Sequence, residues 1–200
     1  MIATTVYLSK AECDILDLRR KNGKLDGQNN VGQEVKIMLT KPEDGWTEFH
    51  LDGTKTYMLS YTDHIASDWM GQAIHGLETM LPFCVKGSLE PGRVLCTVSY
   101  WNCHVIYGSD RAEPLDENYT YWNISHTSML QFCKYLSHDI EEYFDEWVLF
   151  DCGSYKENAD LIDYQDYMKK VREDLTGKLA RLKELISEKE SLFEGGSHFM

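Results

Sequence analysis

The chain has 200 residues, 42% hydrophobic and 26% charged, a size and balance that let one domain bury roughly 70% of its unfolded surface without disulfide or metal support. Thirty-three acidic against 20 basic residues give a net charge of −13, and no basic cluster exceeds Arg19-Arg20-Lys21, which argues against an electrostatic reader of nucleic acid. Nowhere do about 18 apolar residues run together, and the start, Met1 to Ser9, has neither a basic region nor a long apolar stretch, so the expectation is a cytoplasmic protein that does not span a membrane.

Residues 2–8 have the β-branched and aromatic content of a short strand, and Ser9 with Glu12 reads as a capping box for a helix through Arg20. Val31 to Thr40 alternates loosely as a further strand. Trp46, Phe49 and Leu51 precede Asp52-Gly53, after which Tyr57, Leu59 and Tyr61 alternate with other residues, the pattern of two strands joined by a turn. Asp63 is placed to cap a helix over 64–81, in which Ile65, Trp69, Ala73, Ile74, Leu77 and Met80 form one apolar stripe. Gly71 and Gly76 lie inside that helix and signal close backbone packing.

Phe83 to Val85 opens a strand that runs to the turn-rich Gly87–Gly92; Val94, Cys96, Val98 and Tyr100 then alternate, and Cys103 to Tyr107 reads as the antiparallel return. A polar loop covers Gly108 to Asn118, followed by an aromatic strand over 119–124. Ser125 or Thr127 is placed to cap a long helix over 126–149, with Met129, Phe132, Cys133, Leu136, Ile140, Tyr143, Phe144 and Trp147 at the 3.6 period. A last helix from about Asp160 to Glu190 carries Met168, Val171, Leu175, Leu179, Leu182 and Ile186 at helical spacing and charges elsewhere. The expected fold is therefore α+β: an antiparallel sheet of about five or six strands over 31–124 with helices packed on it, residues 1–155 as the domain, and residues 156–200 as a helical appendage with a frayed tail. That helix is also the expected contact for a homo-oligomer.

Six cysteines (Cys13, Cys84, Cys96, Cys103, Cys133, Cys152) stand singly, without CxxC pairs, and read as reduced thiols. A zinc or nucleophilic site at Cys103-His104 is disfavoured because adjacent strand residues face opposite sides. GxSxG, P-loop, HExxH and EF-hand spacings are absent from the sequence, which lowers the expectation of an enzyme and gives no reason to expect a cofactor or a metal.

Acid accumulates in residues 139–174, twelve Asp or Glu against four Lys or Arg, a local net of −8. Asp139, Glu142 and Glu146 recur at helical steps with Tyr143 among them, and Asp163 and Asp166 follow on the last helix. Acids beside aromatics make a surface suited to a basic protein partner. The rival reading is a small-molecule pocket lined by Trp69, Trp101, Tyr121 and Trp122.

Between 45 and 107 the landmarks Gly45-Trp46, Phe49, Asp52-Gly53, Leu59-Ser60-Tyr61 with Asp63, an amphipathic helix, Gly87 and Glu90-Pro91-Gly92-Arg93 follow in order. In that order the stretch resembles small bacterial immunity-like proteins. The resemblance implies a neutralising partner of a secreted toxin; it assigns no catalytic residue, and Asp63, Glu90 and Arg93 are accounted for as fold-forming.

Overall fold

Among the described residues, period-two alternation gives six strands, which divide into a four-stranded antiparallel sheet and a separate two-stranded hairpin rather than one continuous sheet. The computed structural model describes residues 37–108, 121–153 and 161–195, with backbone alone at 121–122, 161–162 and 192–195. The expected strand at 2–8, the helix after Ser9 and most of the polar loop after Gly108 lie outside the described residues, as do Tyr155, the side chains of Tyr121 and Trp122, and the tail.

The hairpin pairs β1 (Trp46–Phe49) with β2 (Tyr57–Ser60), Trp46 opposite Ser60 and Phe49 opposite Tyr57. Its connection spans residues 50–56, longer than a tight Asp52-Gly53 turn, and is tied by the Thr54 hydroxyl, which donates to the Leu51 carbonyl at 2.8 Å. The described end of the strand expected over 31–40 adds to its edge: the His50 N–H donates to Met38 O and the Thr40 N–H to Glu48 O.

The main sheet is a meander, β3 (Phe83–Ser88), β4 (Arg93–Val98), β5 (Cys103–Gly108) and β6 (Tyr121–Ser125), each strand antiparallel to the next. Its inner face is Phe83, Val85, Val94, Cys96, Val98, Cys103 and Val105, all buried. The hairpin crosses this face where Gly87 leaves room: a Cβ there would stand 2.9 Å from Leu59 Cδ2. Asn123 Nδ2 on β6 donates to the Tyr57 hydroxyl at 3.2 Å, fastening the other end of β2.

Helix α1 (Ile65–Thr79) covers the β3 side with Ile65, Trp69, Met70, Ala73 and Leu77. Trp69 is wedged between Phe49 and Phe132, and its indole N–H donates to Lys86 O at 2.7 Å, satisfying a carbonyl on the edge strand β3. The close packing signalled by glycine is met at Gly76, whose added Cβ would lie 2.2 Å from Phe83 Cδ1. At Gly71 the nearest atom is the end of Lys178 at 4.0 Å.

The helix expected over 126–149 is two helices, α2 (Met129–Glu142) and α3 (Phe144–Asp151), broken at Tyr143, whose φ of −119° leaves the helical region. The cap of α2 is Ser128, accepting from the Gln131 N–H at 3.2 Å, not Ser125 or Thr127. Those two hydroxyls bond to each other at 2.9 Å instead.

Helix α4 (Leu161–Gly195) corrects the expectation of an appendage. Leu175, Leu182, Leu185 and Ile186 are buried in the same core as the sheet and α1–α3. Ion pairs fix its register: Arg172 with Asp145, Arg181 with Glu78 and Lys183 with Glu141, with Lys134 of α2 reaching Glu190. Against α1, Ser67 meets Asp174 and Glu78 meets Arg181, so the numbers rise together, whereas against α2 they oppose each other; α4 therefore runs parallel to α1 and antiparallel to α2. The apolar seam that reads as an oligomer contact is thus spent inside the chain.

Candidate functional site

The start of a helix leaves backbone N–H groups without intrahelical partners, and α1 has no side-chain cap of its own. Asp63, placed in sequence to cap it, is turned away, accepting from the Ser88 hydroxyl at 2.8 Å and pairing with Lys86 at 3.6 Å. The missing acceptor comes from the far end of α3. Asp151 takes the Ser67 N–H at 2.9 Å and the Ala66 N–H at 3.3 Å. A carboxylate at a helix N-terminus is favoured by the aligned peptide dipoles. Burial outweighs that here and raises the Asp151 carboxyl to about 7, against the lowering effect of the two N–H groups and of His64, and with Asp68 raising it further.

A cleft of about 250 Å³ opens over this carboxyl, lined by His64, Ser67, Asp68, Asp151, Tyr167, Lys170, Val171 and Asp174. One wall is the first turn of α1, another is α4, and the end of α3 is the third. Asp174 accepts from Ser67 Oγ and from Lys178 Nζ, both at 2.7 Å. Partial burial pushes its carboxyl up, but the Lys178 ammonium and the Ser67 hydroxyl together hold it below its ordinary value. Three carboxyls from three helices therefore meet at one concavity with two lysines, Lys170 and Lys178, one imidazole and one phenol. Such a cleft has room for a single side chain.

The residues singled out in the sequence are not brought together at that cleft. Asp139 is buried, accepting from the N–H groups of Met38 and Leu39, each at 2.8 Å, with His138 Nδ1 at 3.3 Å. Burial raises its carboxyl and the two N–H groups lower it. It is a fold-holding residue and offers nothing to a partner, which corrects the expectation drawn from the helical spacing of Asp139, Glu142 and Glu146. Glu146 is paired with Lys41 at 3.2 Å, and Glu142 stands 3.7 Å from His138. Tyr143 forms the α2–α3 break and packs against the core. Asp163 and Asp166 are exposed on the first turns of α4, and Asp163 shares the face of Tyr167, Lys170 and Asp174 by helical spacing.

Trp69 and Trp101 line no common pocket: Trp69 is 1% exposed inside the core, whereas Trp101 is 78% exposed at the β4–β5 turn. Tyr121 and Trp122, the other two residues of that expected pocket, have side chains outside the described residues. Cys103 faces the core while His104 faces the other side of the sheet, and among the described residues no group of three His, Cys, Asp or Glu side chains is placed to hold a metal. Nor, among those residues, is any helix long and apolar enough to cross a membrane. Comparison with protein-family models, with curated proteins and with solved structures found no match.

The cleft residues carried no signal in the sequence because they come from three distant segments. Asp151 and Asp174 look like any other acids of the 139–174 stretch.

Proposed function

We propose that the chain is a cytoplasmic protein-binding module of the immunity or inhibitor kind, and that its partner is basic. The observation that carries this reading is the cleft walled by Asp68, Asp151 and Asp174, continued along α4 by Asp163, in a chain of net charge −13. A lysine or arginine of the partner enters the cleft, and the exposed acids of the first α4 turns guide its approach. Asp151 and Asp174 are bonded within the fold as Asp139 is, so the recognition surface rests on the exposed acids Asp68, Asp163 and Asp166 around the opening between α1 and α4. The weak likeness to bacterial immunity proteins supports the same class and nothing finer.

The test is affinity purification of the tagged chain from its native host at low and high salt, with mass spectrometry of the retained proteins. A stoichiometric basic partner held at low salt and released at high salt, and lost from the Asp68→Asn/Asp163→Asn/Asp166→Asn variant, is the expected result. A partner indifferent to both salt and substitution would end this reading.

A further inference from the structure

An aspartate followed by glycine is prone to rearrange its own main chain, because glycine has no side chain to shield its nitrogen from the neighbouring carboxyl. The sequence has three such pairs, Asp26-Gly27, Asp44-Gly45 and Asp52-Gly53, and the last two lie among the described residues. Their chemistry is the same, so the fold decides which of them reacts. Ring closure needs the aspartate side chain and the peptide that follows it to swing towards each other, and whatever holds that peptide slows the reaction.

Asp44 and Gly45 form the tip of a two-residue turn, with φ of +49° and +81°. Glu43 N–H donates to Trp46 O and Trp46 N–H to Glu43 O, both at 2.9 Å. Gly45 O accepts from the Tyr61 N–H at 3.0 Å, and the Tyr61 ring lies so close that a Cβ on Gly45 would stand 2.6 Å from its Cδ1. These contacts must break before the peptide can turn. The second pair is bound more lightly. Its turn, Leu51 to Thr54, is closed by one backbone bond, the Thr54 N–H to Leu51 O at 2.9 Å, and by the Thr54 hydroxyl on the same carbonyl. Asp52 and Gly53 are both exposed, and Gly53 has a φ of +79°. Among the described residues the Gly53 N–H makes no hydrogen bond, and an added Cβ there would meet only Ile124 O, at 3.4 Å.

We infer that Asp52-Gly53 is a site of spontaneous covalent modification in the native chain, converting to isoaspartate, whereas the fold protects Asp44-Gly45. The Gly53 nitrogen attacks Asp52 Cγ, and its proton leaves with the carboxyl hydroxyl as water, giving a five-membered cyclic imide. Water then opens the imide. Addition at Cγ breaks the bond from nitrogen to Cγ and restores aspartate; addition at the main-chain carbonyl carbon breaks the other bond from nitrogen and leaves isoaspartate. Nothing is oxidised or reduced, and water is the only co-reactant. The product carries an extra methylene in the main chain between β1 and β2 and presents its α-carboxylate as the free acid. The inference is independent of the basic-partner reading, which concerns the cleft between α1 and α4.

The purified full-length chain is incubated at neutral pH, one sample native and one unfolded in guanidinium, until the unfolded sample shows isoaspartate at both pairs. Digestion and tandem mass spectrometry read each site separately, so Asn22-Gly23 and Asp26-Gly27 are counted apart. Unfolded, Asp44 and Asp52 should convert at similar rates. In the native sample Asp52 should stay within a few-fold of its unfolded rate, whereas Asp44 should slow by about tenfold or more, as expected where two hydrogen bonds must open first. Asp52→Glu keeps the charge but would need a six-membered ring, so it should abolish conversion at that position, leave Asp44 unchanged and keep the wild-type circular dichroism. A native chain in which Asp52 is as slow as Asp44 or slower, one in which both convert at the unfolded rate, or a signal at position 52 that persists in Asp52→Glu would overturn the inference.

Discussion

Replacing Asp151 with asparagine should change how stability depends on pH more than it changes stability itself. In the folded chain burial holds this carboxyl at about 7, whereas in the unfolded chain it titrates near its ordinary value of about 3.9. Below about pH 4 both states are protonated. Between about pH 4 and 7 the folded state keeps a proton that the unfolded state has released, so the contribution of this residue is full below pH 4 and is lost as the pH rises through 7. Three units at 1.36 kcal/mol each amount to at most about 4 kcal/mol. Asparagine cannot ionise, so its share of that slope disappears. Its single oxygen can serve the Ser67 N–H, but its amide then faces the Ala66 N–H, a mismatch worth about 1–3 kcal/mol at every pH. The variant is therefore expected to be less stable than the wild type near pH 4.5 and to draw level with it or overtake it near pH 8. Urea unfolding at half-unit steps of pH, followed by fluorescence and circular dichroism together, reads this directly. The difference between the two curves removes Asp174, whose contribution runs the opposite way, and Asp139, whose burial makes its contribution run the same way. Parallel curves across the range would mean that Asp151 is already ionised at pH 5 and that its burial is less costly than argued here.

Gly76→Ala should destabilise by about 1–3 kcal/mol, because the new methyl meets the Phe83 ring at 2.2 Å. Gly71→Ala, with only the end of Lys178 at 4.0 Å, should stabilise by up to about 1 kcal/mol through helix propensity. Denaturant midpoints of the pair separate steric from backbone effects, and equal shifts would contradict the packing described at Phe83. Leu182→Ala should cost about 2–5 kcal/mol, and deletion of α4 should leave a chain without cooperative unfolding, both measured by thermal melts. Trp69→Phe should keep most of the ring packing but strand the Lys86 carbonyl, at a cost of about 1–3 kcal/mol in the same assay.

The apolar stripe at Ile65, Trp69, Ala73 and Leu77 and the alternation from Val94 to Val98 made α1 and β4 legible, because one face of each is covered and the covering imposes the period. Where the sequence misled, the missing information was what does the covering. The seam of Leu175, Leu182 and Ile186 has the same spacing whether it meets a second copy or α1 and α2 of its own chain. Asp63 has the right chemistry and position for a cap, yet the loop turns its side chain to Ser88, and an aspartate 84 residues away from Ser67 does the capping. Asp139 falls on the spacing of a solvated helix face and is instead closed over by Met38 and Leu39. The cleft was illegible for the same reason: three helices supply it, and none of them carries more than a fragment.

Because α4 runs alongside both α1 and α2 and is made after them, the order of synthesis acquires a meaning. The β3–β6 meander pairs neighbours in sequence and can form as it emerges, but the outer sides of α1 and α2 remain bare until Leu175 to Ile186 have left the ribosome. For that interval the nascent chain exposes the surface that chaperones and proteases recognise. A ribosome that stops before α4 is complete releases a product marked for removal.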